Sequence, residues 1–195
     1  GGAAAGGVPA GVLNTVHADG PTTFEGLSQA LEQGLVQKVG FTGSSEVGAQ
    51  IGALCGKHLQ SPCLELGGKN PLVVMPDADL DLAAEGALFS GFGTAGQRCT
   101  TTRRVLVHES CADDLLDRLV KAYKQVRIGN PLDADVLLGP LIDHVAVETY
   151  RAAIDEIKKE GGEILYGGRV LSRPGYFVEP TIVRAKPQWS LVQRE

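Results

Sequence analysis

Short apolar runs alternate with amphipathic stretches along nearly the whole chain, and few architectures accommodate that alternation. The runs "GVLNTVHA" (11–18), "VQKVGFTG" (36–43), "CLELGG" (63–68), "PLVVM" (71–75), "RRVLVHES" (103–110), "EILYGG" (163–168) and "YFVEPTIV" (176–183) read as strands. Between them, the spacing predicts helices over 21–33, 44–59, 77–92, 111–126 and 143–162. Thr22 or Thr23 can cap the first, and Ser44 or Ser45 the second. The third opens on acidic residues, which suit a helix N-terminus. In the fourth, Leu115, Leu116, Leu119 and Val120 share a face, with Tyr123 one turn on. Gly161 ends the fifth. The turn-rich 130–141 segment reads as an irregular loop. Strands joined through helices imply parallel βαβ units, and so an α/β fold. The glycine- and alanine-rich head "GGAAAGG" reads as a fraying terminus or the tail of a cut helix.

A chain of 195 residues can bury a sizeable core in one large domain or two small ones. A net charge of −5 argues against a nucleic-acid partner, which would call for a basic patch. No apolar run approaches a membrane span, and the head lacks the basic end and apolar stretch of a signal peptide. No membrane association is therefore expected, and a cytoplasmic location is. The four cysteines and four histidines are scattered without a C-x-x-C pair, so neither a metal site nor a disulfide framework is expected. Cys55, Cys63 and Cys111 read as small buried side chains.

Three stretches carry candidate chemistry. In "FTGSSEVG" (41–48) a strand ends, small residues turn the chain and a helix begins. Helix N-termini offer unpaired amides and a positive partial charge, which suits a phosphate. Gly43 lets the backbone approach a ligand, Ser44 offers a hydroxyl, and Gly48 allows close helix packing. The stretch is neither a Walker loop nor a G-x-G-x-x-G fingerprint, and alone it reads first as an ordinary capped turn. In "LELGGKN" (64–70), Glu65 lies between two leucines just before a glycine pair. Apolar surroundings suit a carboxylate to general-base work near neutrality, although a solvated glutamate at a strand end explains the stretch as well. In "FGTAGQRCT" (92–100), Cys99 follows small residues and sits directly behind Arg98. A free thiol is only slightly ionised at neutral pH, so a nucleophilic cysteine needs a base or a positive field. Glu65 and Arg98 are the candidates.

Together, in this order and with Cys99 34 positions after Glu65, these motifs resemble the NAD(P)-dependent aldehyde dehydrogenase superfamily. "GVPAGVLN" (7–14), "DADLDLA" (77–83), "GPLI" (139–142) and "YFVEPTI" (176–182) extend the resemblance over essentially the whole chain. It implies a partial Rossmann-type cofactor domain over 1–66, followed by part of an α/β catalytic domain over 67–195. It implies Cys99 as the nucleophile that forms a thiohemiacetal and then a thioester, and Glu65 as the base that activates hydrolytic water. Gly43, Ser44, Leu66 and Gly68 fall at cofactor-binding positions, with NAD or NADP as the cofactor. Arg98 and Thr100 fall at substrate positions. "GTAGQRCTTTRR" (93–104) is most similar to the antiquitin, or aminoadipate semialdehyde dehydrogenase, branch. There the arginine before the nucleophile helps hold the charged end of the substrate, and a guanidinium can grip a carboxylate with paired hydrogen bonds. A loop-building role for Arg98, or one of tuning the thiol, stays equally open.

The chain is shorter than members of that family. The resemblance implies that an oxyanion-hole asparagine, a ribose-binding lysine and a later glutamate–phenylalanine motif lie outside it. The expectation is that these 195 residues alone are inactive, that a full-length parent is a homo-oligomer, and that aldehyde turnover by the chain alone would contradict this reading. The alternatives are a truncated, inactive chain acting as a binding module, and an enzyme that transfers its acyl group to coenzyme A or phosphate. Glu65 favours hydrolysis.

Overall fold

The structure is a computed structural model that describes residues 6–194. Most of the "GGAAAGG" head lies outside the described residues. The chain divides into two compact units, one ending at Leu66 and the other beginning at Gly67.

In the first unit, helix α1 (Gly20–Glu32) is capped by Asp19 rather than by Thr22 or Thr23. The Asp19 carboxylate accepts from the Thr22 amide at 2.8 Å, and Pro21 in the first turn needs no intrahelical partner for its nitrogen. Hydrogen bonds from the Thr22 side chain and amide hold the Asp19 carboxyl below its usual range. Strand β1 (Gly40–Thr42), helix α2 (Ser45–Lys57) and strand β2 (Cys63–Glu65) form a parallel βαβ unit, with Gly40 opposite Cys63 and Thr42 opposite Glu65. Leu31, Val39, Ile51, Leu54 and Cys55 make its core. Cys63 corrects the expectation of burial: on β2 it points outward while Leu64 points to the core, and its thiol is exposed. Residues 11–18 also depart from expectation and form no strand. Val12, Leu13 and Val16 are exposed, and without a neighbouring ladder an extended run has no partner for its backbone groups.

In the second unit, strands β3 (Asn70–Val74) and β4 (Thr102–Val107) pair in parallel. Helices α3 (Leu80–Phe92) and α4 (Ala112–Tyr123) pack with them around Val74, Ala84, Ala87, Phe92, Leu115 and Leu119. Asp79 caps α3 through the amides of Asp81 and Leu82. Helix α5 (His144–Lys159) is capped by Asp143. Strands β5 (Glu163–Tyr166) and β6 (Ile182–Arg184) and a short helix α6 (Ser190–Gln193) follow. Tyr123 stacks edge-on against Phe92 and Tyr166, with ring centroids 5.1 and 5.9 Å away, and burial pushes its phenol up to about 12.

The β5–β6 pair is antiparallel, unlike the parallel βαβ units expected elsewhere in the chain, and the predicted strand over 176–183 contributes only its end to the ladder. The cause is local. No helix intervenes between them, and the chain doubles back through a Val170–Val178 bridge with Gly167, Gly168 and Gly175 at positive φ. Arg169 locks this arm by donating to both carboxylate oxygens of buried Glu179, at 3.0 and 2.6 Å.

Candidate functional site

The loop that carries Cys99 begins where α3 runs out. Gly93 ends the helix, and Thr94, Ala95 and Gly96 follow at φ of 55°, 56° and 71°. Only glycine takes that conformation without strain. For Thr94 and Ala95 it costs about 1–2 kcal/mol each, so the surrounding packing must hold it. Next, Arg98 and Thr101 close a tight turn. The Arg98 amide donates to Thr101 Oγ1 at 3.3 Å, and the Thr101 amide donates to the Arg98 carbonyl at 3.1 Å. Thr101 is buried, whereas Cys99 and Thr100 are exposed at the tip, with the Cys99 thiol free. Gln97 ties the loop to the irregular segment by accepting from the Ile142 amide at 2.9 Å.

Beneath the turn lies Asn70. Its Nδ2 donates to the Cys99 carbonyl at 2.5 Å and to the Thr101 carbonyl at 3.1 Å. One residue earlier, Arg104 Nη2 donates to the Lys69 carbonyl at 2.8 Å. The β3–β4 register also slips here: Asn70 pairs with Thr102 and Pro71 with Arg104, which leaves Arg103 bulged.

The Arg98 side chain is half-buried. Its guanidinium lies 5.6 Å from the Phe89 ring centroid, a cation–π distance. It also occupies the space in front of Gly93, where a β-carbon would fall 2.7 Å from Nη2. The small residue at 93 therefore makes room for an arginine. Arg98 Nε is buried without a hydrogen-bond partner among the described residues.

The first unit holds the other candidates. Ser44 caps α2 by accepting from the Val47 amide at 3.3 Å. Gly43 donates its amide to the Glu65 carbonyl at 3.1 Å, so the turn and the Glu65 strand end are stitched together. The first turn of α2 is exposed from Ser44 to Val47, which leaves it open to an anion, although Glu46 places a carboxylate in the same turn. Gly48 is needed for packing: a β-carbon there would lie 2.4 Å from Leu66 Cδ2. A β-carbon at Gly43 would strike the Phe41 ring at 2.5 Å, so this glycine makes room for a neighbouring side chain. Glu65 is exposed on β2, not enclosed by its flanking leucines, because strand alternation turns it away from the side of Leu64.

The structure thus gathers Gly43, Ser44, Glu65 and Leu66 at one end of the first unit's βαβ. It gathers Arg98, Cys99 and Thr100 on one turn of the second, whose chain begins with Gly67 and Gly68. Nothing local to "GGKNP" tells where the Asn70 amide reaches. Among the described residues, no group of three or more His, Cys, Asp or Glu side chains is placed to hold a metal, and no helix is long and apolar enough to cross a membrane.

A sequence model of the aldehyde dehydrogenase family matches residues 3–195. Alpha-aminoadipic semialdehyde dehydrogenase of Bos taurus is 51% identical over 148 residues, which is 76% of this chain and 28% of that protein. Aldehyde dehydrogenase family 7 member B4 of Arabidopsis thaliana is 46% identical over 157 residues, 80% of this chain and 31% of its own length. Among solved structures, an NADP-dependent enzyme of E. coli superposes with a TM-score of 0.89 at 38% identity, covering 97% of this chain and 39% of that one. Betaine aldehyde dehydrogenase of Staphylococcus aureus in complex with NAD+ gives 0.78 at 36% identity, over 82% and 33%. The chain spans about a third of the length of these relatives.

Proposed function

Since the chain belongs to the aldehyde dehydrogenase family, we propose that it carries the nucleophile and base of an enzyme that oxidises an aldehyde to a carboxylic acid with NAD or NADP. The observation that carries this reading is Cys99: a free, exposed thiol at the tip of a hydrogen-bonded turn, directly behind Arg98. As thiolate, Cys99 adds to the aldehyde carbon and gives a thiohemiacetal. The backbone amide of Cys99 donates to the oxygen anion that develops. A bound nicotinamide supplies the hydride acceptor that lets the thiohemiacetal become a thioester. Glu65 then takes a proton from water as the water attacks the thioester carbon. The carbon–sulfur bond breaks, the acid leaves and Cys99 returns as thiolate.

The first unit serves as part of the cofactor domain and the second as the start of the catalytic domain. The exposed first turn of α2 fits a cofactor phosphate: Gly43 and Ser44 form the approach, and the helix amides supply the donors. With Glu46 nearby, this binding relies on amides rather than on net positive charge. Leu66 and Gly68 border the nicotinamide. Arg98 and Thr100 face the substrate. A guanidinium held over the Phe89 ring suits a semialdehyde whose far end is a carboxylate, such as aminoadipate semialdehyde. The relative from Bos taurus is named for that substrate.

Replacing Cys99 with Ala in the complete gene product tests the reading. Aldehyde-dependent reduction of the cofactor should fall to background. Turnover at the parent rate would overturn the assignment.

A further inference from the structure

We infer that Asn70 is a positioning residue for the nucleophile, an inference that rests on the assignment of Cys99 above. Its Nδ2 donates to the carbonyls of Cys99 and Thr101, at 2.5 and 3.1 Å. Both partners are carbonyl oxygens, which fixes the end of the amide that must face the loop. These two bonds bracket the tip of the turn. One holds the peptide unit that leaves Cys99, and the other holds the point where the chain enters β4. Thr101, almost fully buried, closes the turn on Arg98.

The strand ladder is irregular just where Asn70 acts. With Arg103 bulged, the first pair of the ladder, Asn70 with Thr102, is offset from the rest, and Arg104 reaches back to the Lys69 carbonyl. Bulges beside reactive groups re-aim side chains. Here the bulge and two side-chain donors tie the short segment 69–70 to the loop at Cys99, Thr101 and Arg104. The loop also holds Thr94 and Ala95 in left-handed conformations, so it needs such external ties to keep one shape. The thiol itself stays exposed. Asn70 therefore touches neither substrate nor cofactor in this role. It sets the direction from which the sulfur meets a carbonyl carbon, and small errors in that direction are costly.

The test uses an activated ester, p-nitrophenyl acetate, with the complete gene product. The Cys99 thiolate attacks the acetyl carbon, the ester carbon–oxygen bond breaks, p-nitrophenolate leaves and a thioester forms on Cys99. Rapid mixing reads the rate of the first turnover, and its amplitude reads the fraction of competent sites. For Asn70→Ala we expect the acylation rate constant to fall by about 10- to 100-fold. Amplitude should stay near one per site, and aldehyde turnover should lose kcat with KM changed by less than about 2-fold. Asn70→Asp has the same shape but turns an oxygen toward both carbonyls, so it should be at least as slow as Asn70→Ala. Asn70→Ser keeps one donor and should recover part of the rate. An unchanged acylation rate in Asn70→Ala overturns the inference, as does an Asp variant that matches the parent. Loss of amplitude and melting temperature in all three variants, with the rate per remaining site intact, also overturns it by assigning Asn70 a merely structural role. If the parent itself gives no burst that depends on Cys99, the assignment of the nucleophile fails, and this inference with it.

Discussion

Arg98 and Cys99 are neighbours with opposite settings. The thiol is exposed, while the guanidinium is half-buried over Phe89 and in the space that Gly93 leaves. That arrangement makes Arg98 a fixed fork rather than a mobile surface charge, and lysine cannot reproduce a fork. Arg98→Lys should raise KM for a carboxylate-bearing semialdehyde by about tenfold, the equivalent of losing one charge-assisted bond. A neutral aldehyde of similar length should change by less than about 2-fold. Steady-state kinetics with the two substrates checks this, and an equal loss on both would make Arg98 a builder of the loop. At this scale, what singled out Cys99 as a candidate in the sequence was its order with Glu65 and the 41–48 turn. The sequence could not single out Asn70, because a side chain's reach across a bulge depends on the register of two strands that are distant in sequence.

Helices were far more legible than strands. Their caps and apolar stripes are local, and α1 to α5 all stand within a few residues of their expected spans. Ladders depend on partners elsewhere, so residues 11–18 failed as a strand and 176–183 kept only its end. Two predictions belong to this scale. The raised Tyr123 phenol, on α4, favours the protonated form in the folded state. Its contribution is fully present below the unfolded value of about 10 and is lost as pH rises through about 12, roughly 3 kcal/mol in all. Denaturant unfolding at stepped pH should show this fall, and Tyr123→Phe should remove most of it, with Tyr150, also raised by burial, leaving a remainder. On α2, Gly48→Ala would press a methyl against Leu66. Stability should fall by about 1–3 kcal/mol and the KM for the cofactor should rise several-fold, with the aldehyde KM little changed. Cofactor titration of the variant measures it.

At the scale of the molecule, each of the two compact units carries part of the proposed chemistry: the phosphate turn and Glu65 before Gly67, and the nucleophile and Arg98 after it. In the second unit, helices α3 and α4 cover one face of the β3–β4 pair, while the paired residues Val73 and Leu106 show apolar side chains on the other. The α/β class was legible because alternation of strand and helix is a property of the whole chain. The antiparallel β5–β6 arm was not, since strand direction rests on how the intervening residues turn. In the proposed reaction one covalent bond, to Cys99, links aldehyde to acid. That link is tested most directly by mass spectrometry of the Glu65→Gln variant of the complete gene product, quenched in acid after mixing with aminoadipate semialdehyde and NAD. One equivalent of reduced cofactor is expected, together with the acyl mass on the peptide that holds Cys99. Continued turnover with no adduct on Cys99, or an adduct on another residue, would contradict it.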